Sequence, residues 1–296
     1  MPMTIARCCL ALMSLTISAS AEAAMPQVIE PGLISTAASE VKVTFSPDGT
    51  RMLFGTIGWG TGGSGWDIYE SIKTDGKWSA PQQAPFNSEA NDFDPFFAPD
   101  GSGVYFFSNR VGGEGGDDIY FVPFDAAVGY GFPVNVGPKI NTSGDEWNPV
   151  ISFDGTMLLF SSNGRGGEGE HDLFVATRSG DEWVDPQPLG TLVNGHNEDF
   201  DGAFVVDDDT IVFASGDLGS KAHSKLFITR RTEEGWTAPR ELGSSVNCAG
   251  PGLTLAPSVS VSDPTNLYFT SNCRPGGPGR MDLYRLTLDD ALAGTE

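Results

Sequence analysis

Short apolar runs recur along the chain at a nearly constant interval, each closed by turn residues. Five segments lead into a turn: VKVTFSPDG (Val41 to Gly49), FDPFFAPDG (Phe93 to Gly101), WNPVISFDG (Trp147 to Gly155), FDGAFVVDD (Phe200 to Asp208) and PGLTLAPSV (Pro251 to Val259). An apolar run follows each: MLFGT, VYFFS, LLFSS, IVFAS and LYFTS. Next comes a glycine loop, at Gly62-Gly63-Ser64-Gly65, Gly112-Gly113-Glu114-Gly115, Gly166-Gly167-Glu168-Gly169 and Gly276-Gly277-Pro278-Gly279, which the fourth unit lacks. An Asp-aliphatic-aromatic triplet comes third, with Lys225-Leu226-Phe227 in the fourth unit. The steps between its first residues, from Asp67 to Asp118, Asp172, Lys225 and Asp282, are 51, 54, 53 and 57 residues. Trp78, Phe132, Trp183 and Trp236 then open a fourth segment and read as inter-blade packing.

The runs are too short and too rich in β-branched and aromatic residues for helices. Four strands per unit at this period describe propeller blades. The fold expected is all-β: a five-bladed β-propeller of four-stranded antiparallel blades. The fifth unit lacks its fourth strand, and Met25 to Ile29 align with that segment, so the N-terminal strand is expected to close the ring. Residues 24–296 read as one propeller domain. Residues 1–23 read as a secretory signal peptide: Arg7 precedes a short apolar run, and A-x-A patterns end at Ala21 and Ala23. That places the chain in the periplasm or outside the cell, where Cys248 and Cys273, both at the top of blade 5, are expected to pair.

The run Ile140 to Phe174 closely resembles the TolB-type, WD-like propeller repeat, with its Pro-Asp-Gly turn, Ser-Asn-Arg corner, Gly-Gly-x-Gly loop and Asp-Ile-Tyr strand. Ser108-Asn109-Arg110 matches the corner in full, and the resemblance spans about residues 40 to 290. It implies a periplasmic or secreted protein that binds or scaffolds, and it implies no catalytic residues.

Composition narrows the ligand. With 17 Lys+Arg against 39 Asp+Glu, the net charge is −22, which disfavours nucleic acid and anionic lipid. No later run reaches membrane-spanning length, and a monomer is expected. Seven residues before the turn, Glu40, Asp92, Glu146 and Asp199 bring a carboxylate to the top of four inner strands; two residues later come Lys42, Asp94, Asn148 and Asp201. Such a ring either caps backbone amides between blades or holds a divalent cation or ligand at the channel mouth. His171, His196 and His223 map to the top of blades 3 and 4 beside Asp199 and Asp201, and a joint off-axis site there is a further expectation. No nucleophile, zinc, dinucleotide or P-loop motif is present. The reading preferred is a protein that binds a protein, peptide or glycan on its acidic top face. The alternative is a glycosidase-like enzyme using carboxylates at the mouth.

Overall fold

The computed structural model describes residues 24–59, 65–219 and 223–295. The signal-peptide segment and most of the first glycine loop, Gly62-Gly63-Ser64, lie outside the described residues. Five antiparallel sheets form a five-bladed propeller. Their inner strands are Ser39–Phe45, Asp92–Phe97, Glu146–Ile151, Glu198–Phe204 and Thr254–Ser260. Blade 5 has three strands of its own, and Gln27–Val28 supplies the fourth by pairing with Asp282–Thr287. The N-terminal strand therefore closes the ring, and the outer side of Asp282–Thr287 is paired rather than left as an edge.

The inner strands share a device that their sequences encode only indirectly. Each carries a β-bulge, and the bulged residue has a left-handed backbone: Lys42, Asp94, Asn148, Asp201 and Ala256 have φ of 48°, 47°, 49°, 50° and 52°. Non-glycine residues adopt this region at a cost that the surrounding structure must offset. The residues that follow are Val43, Pro95, Pro149, Gly202 and Pro257. Proline is tolerated there because this strand is the axial edge of its sheet and the bulge interrupts pairing.

This register corrects the alignment of blade 5. Its inner strand runs through Pro257, and the turn follows at Ser260 to Asp263, where these two residues pair. Pro257 matches Pro95 and Pro149, not the turn prolines. The residues equivalent to Glu40 and Lys42 are therefore Thr254 and Ala256, and Gly250 and Gly252 precede the strand. A second correction concerns Phe132, which is 91% exposed. Tyr130 pairs with Phe124 where Trp78 pairs with Lys73, and it packs against Phe86 and Phe124 at 5.0 and 4.8 Å. The longer hairpin tip in blade 2 moves the packing aromatic two residues upstream.

The motif residues hold the blades together. Asp118, Asp172 and Asp282 accept backbone N–H groups of their glycine loops, from Glu114 and Gly115, Glu168 and Gly169, and Gly279. A Cβ on Gly113, Gly167 or Gly277 would overlap those carboxylates, which is why glycine is required. Corner arginines reach back to loop carbonyls: Arg110 to Phe86, Arg165 to Lys139 and Ile140, Arg274 to Ser244, Val246 and Asn247.

Candidate functional site at the axial mouth

Each sequence-predicted carboxylate at the top of an inner strand has local donors. Glu40 accepts from Thr36 N and Oγ1 at 3.0 and 2.7 Å and from Trp59 Nε1 at 3.1 Å. Asp92 accepts from Ser88 N and Oγ and pairs with Arg110. Glu146 accepts from Thr142 N and Oγ1 at 2.8 and 2.7 Å and from Ser162 Oγ at 2.6 Å. Asp199 accepts from Gly195 N at 2.7 Å. The same geometry recurs in four blades: a carboxylate folds back on the residue four positions earlier and pins the entry loop. All four are buried. Burial pushes Glu40 up to about 7 and Asp199 up to about 6, and it raises Glu146, against the lowering effect of these bonds.

One layer below, the bulged residues meet. Lys42, Asp94 and Asp201 are close enough to shift one another, and each is almost wholly buried. Lys42 Nζ donates to Pro257 O at 2.9 Å, Asn148 Nδ2 to Gly202 O at 2.8 Å, and Ala256 N to Asp201 Oδ2 at 3.0 Å. These bonds stitch blade 5 to 1, 3 to 4 and 4 to 5. Asp94 takes no such bond: its carboxyl faces Asp201, Lys42 and Asp117 by charge alone. Burial first, and Asp201 second, hold it well above the usual carboxylate range. Asp201 rises to about 6 through burial, while Lys42 falls to about 8 for the same reason despite both acids. The sequence pointed to Asp94 and Asp201; Lys42, whose ammonium is influenced by both acids, is the residue that completes the cluster.

Above this layer the mouth is aromatic. Trp147 is partly exposed, stacks on His171 with centroids 3.7 Å apart, and donates its Nε1–H to Asp117 Oδ2 at 2.8 Å. Trp66, also partly exposed, packs against Phe93 at 4.9 Å and Phe107 at 6.2 Å. Sequence reasoning passed over both tryptophans. The signal was clear only for Trp66, which stands before the Asp-aliphatic-aromatic triplet where other blades carry Asp117, His171, Ser224 and Met281; Trp147 shares its position with Phe93 and Phe200.

The three histidines have different surroundings. His171 is 3% exposed, neither ring nitrogen has a partner, and burial lowers it to about 4. His196 is exposed, with Nδ1 3.4 Å from Glu168. His223 opens its strand, paired with Asp217. Among the described residues no three His, Cys, Asp or Glu side chains assemble as a metal-holding group. Cys248 and Cys273 form a disulfide with Cα atoms 6.2 Å apart, as their placement at one end of blade 5 led us to expect.

Around the mouth runs an acidic rim. Glu114, Asp117, Asp145, Glu168, Glu170 and Glu198 form no ion pair with a described Lys or Arg. Glu198 is raised by burial and by a hydrogen bond shared with Glu170, which joins the blade 3 glycine loop to blade 4. Three top-face arginines, Arg110, Arg165 and Arg274, donate to loop carbonyls instead, and Arg110 also pairs with Asp92.

No protein-family model matches this chain, and no curated protein matches it. Solved structures do. TolB from Acinetobacter baumannii superposes with a TM-score of 0.53 at 15% identity over 84% of this chain, which spans only 54% of that protein. A putative TolB from Agrobacterium tumefaciens gives 0.52 at 14% identity, covering 86% of this chain and 79% of that one. A thermostable family-43 glycoside hydrolase gives 0.55 at 12% identity, covering 88% and 94%. At these identities the likeness is one of fold: the chain is TolB-like as a propeller, and glycoside hydrolases share that shape.

Proposed function

We propose that this chain is an exported binding propeller whose top face takes a basic segment of a partner protein or peptide. One observation carries the reading: the mouth joins two partly exposed tryptophans to a rim of carboxylates without Lys or Arg partners. Tryptophan offers its π-face to Lys and Arg, and a rim of one sign draws cations in. The capped ring of Glu40, Asp92, Glu146 and Asp199 then supports the loops that present this surface, and Asp94 and Asp201 lie beneath it. Any role for His171, His196 and His223 is as part of the same face over blades 3 and 4. The TolB-like fold agrees with a binding role, and the disulfide agrees with a periplasmic or secreted location.

The test is titration with a synthetic Lys/Arg-rich peptide, followed by tryptophan fluorescence. A saturable change in the native protein, weakened about tenfold by Trp66→Ala, supports the reading. No response contradicts it.

A glycosidase reading also has one observation in its favour. Asp94 and Asp201 are two carboxyl groups with different environments, one without a hydrogen bond and one bonded to Ala256 N. Hydrolysis of nitrophenyl glycosides, abolished by Asp94→Asn, would select that reading over binding.

A further inference from the structure

The opposite face carries a feature that the top-face reading does not use. A cavity of about 430 Å³ opens between blade 1 and the closing seam, where the N-terminal strand joins blade 5. Its size lies within the range of small-ligand pockets. One side is aromatic: Phe45 sits 4.9 Å from Tyr268 and 6.0 Å from Trp78. The other side is charged and sums to zero, with Lys73 and Arg285 against Glu30 and Asp263.

These charged groups are positioned. Lys73 Nζ lies 5.2 Å over the Trp78 ring. Arg285 Nε and Nη2 both donate to Gln27 Oε1, at 3.2 and 3.0 Å. Asp263 accepts from Tyr268 Oη and Asn266 Nδ2. Glu30, on the rim, is held with φ at 40° and is exposed. Backbone held in this region by its surroundings is more frequent at ligand sites than elsewhere.

We infer that this seam cavity is a binding site for a neutral saccharide, separate from the acidic top face. A sugar ring presents C–H groups on its faces and hydroxyls around its edge. The three rings suit the faces. Arg285 and Lys73 supply donors, and the carboxylates of Glu30 and Asp263 supply acceptors, so together they match hydroxyls, which do both. A net charge on the ligand finds no counter-charge in excess here. The cavity walls come from both sides of the closing seam, so an occupant braces blade 5 against blade 1. Binding restricted to the folded ring raises its stability by mass action.

The experiment uses the disulfide-bonded chain with cellohexaose, xylohexaose and maltohexaose as probes, read by calorimetric titration and by melting temperature. At least one probe should bind and raise the melting temperature. Trp78→Ala and Arg285→Met should each weaken that affinity about tenfold, and Trp66→Ala on the top face should leave it within about twofold. Arg285→Met carries the test if Trp78→Ala fails to fold. Absence of binding by all three probes at about 10 mM overturns the inference, as does native affinity in the pocket variants.

Discussion

At the scale of single residues, the axial layer is an asymmetric charge cluster. Asp201 sits near 6 and Lys42 near 8, so at pH 7 these two are ionised, while burial and the neighbouring Asp201 hold Asp94 well above its normal range. The two acids should therefore respond differently to the same change. Asp201→Asn strips Lys42 of its counter-charge and should cost about 3–5 kcal/mol in urea unfolding at pH 7. Asp94→Asn keeps the shape and removes a carboxyl whose anionic form is already disfavoured by burial and Asp201, and should cost under about 1 kcal/mol. Equal costs would mean that Asp94 carries the charge. The same burial gives a pH dependence. Glu40, Asp199 and Asp201 have folded values of about 7, 6 and 6, above their ordinary 4.5, 3.8 and 3.8, so the folded ring binds more protons in that window. Their contribution is fully present only below the ordinary 3.8 and is lost as pH rises through about 6 to 7. His171 runs the other way, since it is lowered from 6.5 to about 4 and loses its contribution as pH falls. Three carboxylates outweigh one imidazole, so the urea midpoint should be higher at pH 5 than at pH 7.5.

At the scale of elements, the blades are joined by asparagines that no motif announced. Asn87, Asn141, Asn194 and Asn247 each accept from the N–H and donate to the C=O of one aliphatic residue in the preceding blade: Ile68, Ile119, Leu173 and Leu226. This is the middle residue of the Asp-aliphatic-aromatic triplet, so the triplet recurs partly because the next blade clamps it. Asn141→Ala leaves the Ile119 N–H buried and unpaired, while the Ile119 C=O keeps its bond from Val136 N, and should cost about 1–3 kcal/mol, measurable as a lower urea midpoint with an unchanged slope. Strands and turns were legible because alternation, glycine loops and Pro-Asp-Gly turns are local. The bulge was not, because its left-handed residue is Lys, Asp, Asn or Ala, and only the proline that often follows marks it. Blade 5 was misaligned for that reason: Ala256-Pro257-Ser258 looks like a turn and is a bulge. The capping role of Glu40, Asp92, Glu146 and Asp199 was one of two readings open from sequence. The partner four residues earlier, Thr, Ser or Gly, decides it only once the loop is seen to fold back.

At the scale of the whole molecule, closure was legible because it is a matter of counting strands, and the register Gln27 to Arg285 and Val28 to Tyr284 supplies the missing one. The mouth was only half legible. Acidic positions can be read one by one, but which of them keep their charge free depends on where arginines and loop amides end up. The four carboxylates that looked most like a site are bonded to their own loops, whereas Glu114, Glu168, Glu170 and Glu198 lie on the top-face segments of blades 2 to 4 without a described Lys or Arg partner. A chain of net charge −22 attracts any polycation, so the claim of a top-face site requires the response to depend on place. The decisive measurement compares two variants with the same net charge: one with Glu114, Glu168, Glu170 and Glu198 changed to Gln, the other with Asp75 and Asp181 changed to Asn and Glu233 and Glu234 to Gln at exposed hairpin tips away from the mouth. Affinity for one Lys/Arg-rich peptide is measured for both at physiological salt, where the Debye length is about 8 Å and distant charges are screened. The account predicts a loss of at least about tenfold for the mouth variant and less than about twofold for the hairpin variant. Equal losses in the two would contradict it.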